Sequence, residues 1–174
     1  QKKKYRKQLA MPGMTVECQE RLMKARILIL GATETAFVCA DHLMRLGAGH
    51  LQLAGASHYD LHLLAERLDA LHPSPADTHV GVSEESFDAH DSEQLITNFG
   101  IDDFPKAQNE DALFSPVQGV LGALQALEAA KLAANLGASQ GNELFKFDFL
   151  SGEMEMITGL DSVADCPDCR KPRR

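Results

Sequence analysis

The sequence predicts an α/β protein: a mostly parallel sheet flanked by helices, extended near its end by a β-hairpin. Three patterns predict it. Arg26-Ile-Leu-Ile-Leu30 is a continuous apolar run of branched residues, as in a strand buried on both faces. A helical pattern follows, then a second apolar run, so strand, helix and strand stand in the order of a βαβ unit. Two alternating segments, 143–149 and 153–158, flank Ser151-Gly152, a pair suited to a tight turn. The doubled-sided strand followed by a crossover helix makes the sheet Rossmann-like.

The elements can be taken in order. Residues 16–25 (VECQERLMKA) read as a short amphipathic helix, with Val16, Leu22 and Met23 as candidate buried positions. The first strand ends at Gly31. Residues 35–46 form a helix with Ala36, Phe37, Ala40, Leu43, Met44 and Leu46 available to its buried side, and Gly47 is placed as its C-terminal cap. The second strand is 50–54. A helix over 59–71 is ended by His72-Pro73, and 78–82 is the third strand. Residues 91–99 read as a further helix capped by Asp91 or Ser92. Residues 100–111 (GIDDFPKAQNED) are polar, acidic and unpatterned, hence a loop. A long helix over 116–136 carries Pro116 near its start and Gly137 just past its end. Its Gly119, Gly122, Ala123 and Ala126 permit close backbone packing, and Glu128 and Lys131 argue against a membrane span.

The 174 residues suit one domain. Its parts are an N-terminal arm and helix (1–25), a Rossmann-like half (26–99), a loop or shortened middle (100–115), and a helix, hairpin and Cys-x-x-Cys tail (116–174). With 44% hydrophobic and 24% charged residues, the balance is that of a soluble globular protein. The net charge of −8 argues against nucleic-acid binding, which needs a basic face, and the absence of Trp argues against a stacking platform. No signal peptide or membrane span is visible, so a cytoplasmic location is expected. Cys18, Cys39, Cys166 and Cys169 are then expected as thiols rather than disulfides.

Several short motifs line up along the chain. Tyr5-Arg-Lys-Gln8, Met11-Pro-Gly13 and Gln19-Glu-Arg-Leu22 precede the strand that ends in Gly31. Leu46-Gly-Ala-Gly49 precedes the second strand, Gly119 to Lys131 forms a small-residue helix, Phe147-Asp148 closes the first hairpin segment, and Cys166-Pro-Asp-Cys169 lies in the tail. In this order the set resembles the ThiF/MoeB/HesA superfamily, the E1-like enzymes that adenylate ubiquitin-like and sulfur-carrier proteins. The resemblance covers nearly the whole chain. It implies a Rossmann-like nucleotide turn at Gly31, a dimer in which the basic N-terminal segment reaches the partner's ATP through Arg6 or Lys7, and a zinc site to which Cys166 and Cys169 give half the ligands.

The departures from the family pattern point to a lost activity. A working turn needs Gly-x-Gly-x-x-Gly so that backbone can approach phosphate. Here it reads Gly31-Ala-Thr-Glu-Thr-Ala36, with one glycine and a carboxylate, Glu34, where phosphate would come. The ribose-holding acid expected at the end of the second strand is missing; the first carboxylate after it is Asp60. In place of an Asn-Leu-x-Arg-Gln element the chain has Leu61-His-Leu-Leu-Ala-Glu-Arg67, whose Arg67 is out of register. Lys7 replaces an arginine, keeping the charge without the two-pronged geometry. ATP and Mg²⁺ are therefore not expected as cofactors.

Simpler readings stand beside these. Two thiolates cannot close a tetrahedral Zn²⁺ site, so Cys166 and Cys169 need two more ligands, from Cys18, Cys39, a histidine or a second chain, or they are a vestigial pair. His58, His62, His72 and His79 form a cluster only if the fold gathers them; otherwise they are ordinary surface residues. Asp102-Asp103 reads as a solvated loop, and Cys39 as a small hydrophobe in a helix. The functional expectation is a degenerate E1-like protein, a pseudoenzyme or scaffold subunit forming a homodimer or a heterodimer with an E1-like homologue, and serving a ubiquitin-like or sulfur-carrier partner. The alternatives are a divergent active adenylyltransferase and a small-ligand-binding protein using the old nucleotide cleft.

Overall fold

Arg26–Leu30 form β1, one of two strands with neighbours on both sides, and its alternation sorts the core. A computed structural model describes residues 4–55, 57–72, 78–83, 95–97, 115–138, 143–148 and 151–158. They fall into two compact units, 1–138 and 139–174. In the first, β1 pairs in parallel with β2 (His50–Ala54) on one side and β4 (Leu95–Thr97) on the other. Strand β3 (His79–Val82) extends the sheet beyond β2, giving the order β3-β2-β1-β4.

The register places Ile27 opposite Leu51 and Ile29 opposite Leu53. These four side chains are buried and join one apolar cluster with the helices. Helix α1 (Val16–Lys24) contributes Leu22; α2 (Glu34–Leu46) contributes Ala36, Cys39, Ala40 and Leu43; α3 (His58–Leu71) contributes Leu61, Leu64 and Leu68. Helix α4 (Ser115–Ala134) adds Ala126 and Ala129. Leu28, on the opposite face of β1, is also buried, as the unbroken apolar run of that strand requires.

Local chemistry sets the helix ends. Thr15, Thr33 and Ser57 cap α1, α2 and α3, each accepting a backbone N–H three residues on. Gly47 ends α2 in the left-handed region at φ +85°, and its N–H reaches the Leu43 and Met44 carbonyls. Helix α4 leaves through Asn135, at φ 54°, two residues before Gly137. Of its small residues, Gly122 makes the close approach: a Cβ there would sit 2.6 Å from the Thr35 carbonyl oxygen and 2.8 Å from Val38 Cβ. Gly119 faces open space.

Two expectations are corrected. Residues 91–99 do not form a helix throughout, because 95–97 pair as β4 beside Ile27–Ile29 of β1. A helix of nine residues is marginal on its own, whereas β-branched Ile96 and Thr97 suit the open edge of a strand. Asp91 and Ser92 lie outside the described residues. Val16 is exposed rather than buried, because the first turn of α1 overhangs the core. The inward place one turn later belongs to Gln19, whose amide donates to the Leu46 carbonyl at 3.0 Å. A polar group is tolerated there because it is hydrogen-bonded.

The second unit contains the expected hairpin, β5 (Leu144–Phe147) antiparallel to β6 (Met154–Ile157), with Lys146 opposite Glu155. Asp148 accepts from the Ser151 N–H at 3.2 Å, and Gly152 takes φ 75° to close the turn. The loop at 100–111 lies outside the described residues. Among those described, no helix is long and apolar enough to cross a membrane.

Candidate functional site

In an open parallel sheet, ligands are held outside the carboxyl ends of the strands, where loops lead into helices. Here that place is the turn from β1 into α2. Gly31 enters it at φ +96° and donates its N–H to the Ala54 carbonyl at the end of β2, 2.8 Å away. A Cβ on Gly31 would meet nothing within 4 Å, so conformation rather than space calls for glycine. The other two glycine positions of a nucleotide turn carry side chains that the fold uses. Thr33 is extended (φ −83°, ψ 167°) and caps the helix through the Ala36 N–H at 3.3 Å. Ala36 is 3% exposed and belongs to the core.

Glu34 is not a lone carboxylate. Both Arg67 terminal nitrogens donate to it, at 3.0 and 3.1 Å, joining the first turn of α2 to the second half of α3. The same guanidinium lies 3.9 Å from the centre of the Phe37 ring. A cation over an aromatic face is further held by the ring quadrupole. The two departures read separately from the sequence, an acid in the turn and an arginine out of register, are therefore one structure. Glu34 is neutralised locally, so its effect on an incoming phosphate is less simple repulsion than occupation of the arginine. Sequence separation of 33 residues hid this pairing.

At the end of β2, Gly55 approaches the turn: a Cβ there would lie 3.5 Å from Gly31 Cα. Asp60 does not stand at the strand end; it is in the first turn of α3, with its N–H on the Ser57 hydroxyl at 3.3 Å. Thr35, 6% exposed, has a buried hydroxyl with no hydrogen-bond partner among the described residues, and its backbone carbonyl faces Gly122 of α4.

Arg6 and Lys7 are both exposed and lie at the other end of α2. Between them and the core, Tyr5 is buried against Gly47, and the Gln8 amide donates to the Leu46 carbonyl at 3.0 Å and to Gln19. A helix of 13 residues is about 20 Å long, which separates these cations from their own chain's turn at Gly31.

Cys166 and Cys169 lie outside the described residues, as do Asp102 and Asp103. Cys39 is fully buried in the core and cannot reach a tail without unfolding α2. Cys18 remains accessible on α1, where hydrogen bonds from Thr15 hold its thiol below the ordinary range. A cavity of about 190 Å³, lined by Arg26, His50, Gln52 and His79, opens at the amino ends of β1 to β3, away from the turn. Asp41 on α2 joins Arg45 and His72 at 2.8 Å each, tying the end of α3 to α2. Of the scattered histidines, the fold brings His58 to His62 and His50 to His79, in two separate pairs.

No family model matches the chain. A stretch of 60 residues, 34% of this chain, is 42% identical to adenylyltransferase and sulfurtransferase MOCS3 of Bos taurus, and 53 residues are 47% identical to the Sus scrofa protein of that name. Those stretches span only 13% and 12% of the two proteins. Among solved structures, Escherichia coli MccB with ATP is similar over 88% of this chain and 69% of MccB, with a TM-score of 0.65 at 12% identity. The microcin C7 biosynthetic enzyme MccB in complex with N-formylated MccA gives the same TM-score at 13% identity. At such identity the likeness is one of fold. The sheet, the ordered motifs and these relatives point to the ThiF/MoeB, E1-like superfamily.

Proposed function

We propose that this chain is a degenerate E1-like protein, a pseudoenzyme or scaffold subunit that keeps the framework of an adenylating enzyme without the adenylation. The relation to adenylyltransferases of sulfur-carrier or modifier proteins is supported by the MOCS3 stretches and the MccB fold. The observation that carries the loss is the Glu34–Arg67 pair beside a turn with one glycine. Phosphate binding at a helix N-terminus needs free N–H groups and close backbone approach. Thr33 has taken one of those N–H groups, and Arg67 has committed two donors to a carboxylate. No acid stands at the end of β2 to hold a ribose.

Calorimetry with ATP and Mg²⁺ is expected to show no binding below millimolar, and ATP–pyrophosphate exchange no turnover. Micromolar binding together with exchange would overturn the proposal and leave the divergent adenylyltransferase, the reading that the MOCS3 identity favours.

The proposal extends to partners. MccB is solved in complex with N-formylated MccA, and a small carrier or modifier protein is the corresponding partner here. Arg6 and Lys7, about 20 Å from their own turn, would serve phosphate only in another subunit whose turn still binds nucleotide, an intact E1-like homologue; in a homodimer they would serve contact alone. Co-purification of such a homologue, lost in a variant lacking residues 1–7, tests this. Cys166 and Cys169 would hold Zn²⁺ only with two thiolates or histidines from elsewhere, and a second chain's pair completes four ligands. Metal analysis near zero zinc per chain would end that part. A cytoplasmic location goes with this reading.

A further inference from the structure

His58 and His62 occupy the first two turns of α3, where the chain leaves the carboxyl end of β2. They are one helical turn apart and exposed, flanking the face that buries Leu61, Leu64 and Leu68. Ser57 caps this turn, so the backbone that carries His58 is held in helix. Both residues are exposed, yet their Nε2 atoms lie 3.0 Å apart, with ring centres at 4.2 Å.

Between two neutral imidazoles at that distance one nitrogen donates and the other accepts. A divalent ion can take both lone pairs instead, as two histidines at this spacing do on one helical face of a metalloprotease. As the two rings stand, the separation gives a narrow bite. Metal–nitrogen bonds of about 2.0–2.1 Å that span 3.0 Å meet at about 90–97°, whereas a tetrahedral centre needs about 3.3–3.4 Å between nitrogens. A near-right angle belongs to tetragonal nitrogen–oxygen shells, the preference of Cu²⁺ and Ni²⁺.

We propose that His58 and His62 form a two-nitrogen binding site for a tetragonal divalent transition metal, Ni²⁺ or Cu²⁺. No group of three or more His, Cys, Asp or Glu able to hold a metal occurs among the described residues, so within them the pair is a two-ligand site. The site is open, and its outer positions can be taken by oxygen or nitrogen donors of a ligand. It uses neither tail cysteine and does not depend on whether the nucleotide turn works.

The test uses the untagged full chain with C166S and C169S, so that tail thiolates do not compete. Titration calorimetry with Ni²⁺ is expected to give one ion per chain. H58A and H62A should each weaken binding at least tenfold, and H79A, which removes a ring from the other pair, should leave it unchanged. With Cu²⁺, electron paramagnetic resonance should show a tetragonal signal split by two nitrogens. No Ni²⁺ uptake by the parent, uptake that survives H58A/H62A, loss on H79A, or splitting by fewer than two nitrogens would each overturn the site. Because both rings are exposed, circular dichroism should be unchanged in every histidine variant. If the serine variant does not fold, the same comparison is made on alkylated cysteines.

Discussion

At the C-terminal end of α2, Gly47 sits at φ +85°, and a Cβ there would come within 2.5 Å of the buried Tyr5 hydroxyl. Two residues on, a Cβ at Gly49 would run into the Met23 carbonyl. At the N-terminal end, Gly31 alone remains, and nothing lies within 4 Å of where its side chain would be. Thr33 and Ala36, at the other glycine positions of a nucleotide turn, serve as cap and core. The two ends of one helix thus separate two reasons for glycine. Where the chain's own packing demands one, it is present; where only an approaching phosphate would demand one, a side chain stands instead. This difference, more than any single missing residue, supports a kept scaffold with a lost nucleotide site.

Substitutions can break this contrast. Gly49→Ala should have the largest effect, above about 3 kcal/mol in urea unfolding, because backbone of α1 or β2 must move. Gly47→Ala combines a left-handed strain with the Tyr5 contact and should cost about 2–3 kcal/mol. Gly31→Ala meets no atom, so only its φ of +96° opposes it, and about 1–2 kcal/mol is expected. Equal losses at 31 and 49 would erase the distinction between the two ends.

The ion pair supplies a smaller test. Its side chains are 46% and 38% exposed, so a double-mutant cycle of Glu34→Ala with Arg67→Ala should give a coupling below about 1 kcal/mol, falling with salt. A pair this weak matters for what it occupies rather than for stability. A coupling of several kcal/mol would instead make it a structural staple.

The smallest effect concerns Asp41. Burial pushes its carboxyl up, but the hydrogen bonds and charge of Arg45 and His72 outweigh burial and hold it below the usual range. Its contribution is therefore present above the unfolded carboxylate value of about 3.9 and is lost as pH falls through the lower folded value. Urea midpoints measured from pH 7 down to pH 2.5 should lose part of their acid dependence in Asp41→Asn. Asp41 is only 16% exposed, but its Arg45 partner is 59% exposed and the asparagine keeps an accepting oxygen, so the change at pH 7 should stay near or below about 1 kcal/mol. An unchanged acid limb would remove Asp41 from the account.

Much of the fold was legible from local pattern. The apolar run of β1, the cap at Gly47 and the turn at Ser151-Gly152 all follow from residues near one another in sequence. The candidate site was legible as a set of departures, at Glu34, at Arg67 and at the end of β2. What escaped was how they combine. The strand at 95–97 needed the free edge of β1, which no nine-residue window contains. Gln19 inside the core needed the Leu46 carbonyl, 27 residues away.

By itself, then, the sequence determined most of the backbone elements, all but the strand at 95–97, because helix and strand periods and caps act over a few residues. It also determined which groups a nucleotide turn would lack. Only the tertiary structure decided that Glu34 meets Arg67 over Phe37, that Arg6 and Lys7 sit at the far end of α2, and that Gln19 lies inside the core. The physical reason is the same in each case. Charge pairing, burial and reach depend on distances between segments far apart in the chain, and those distances exist only once the sheet has brought the segments together.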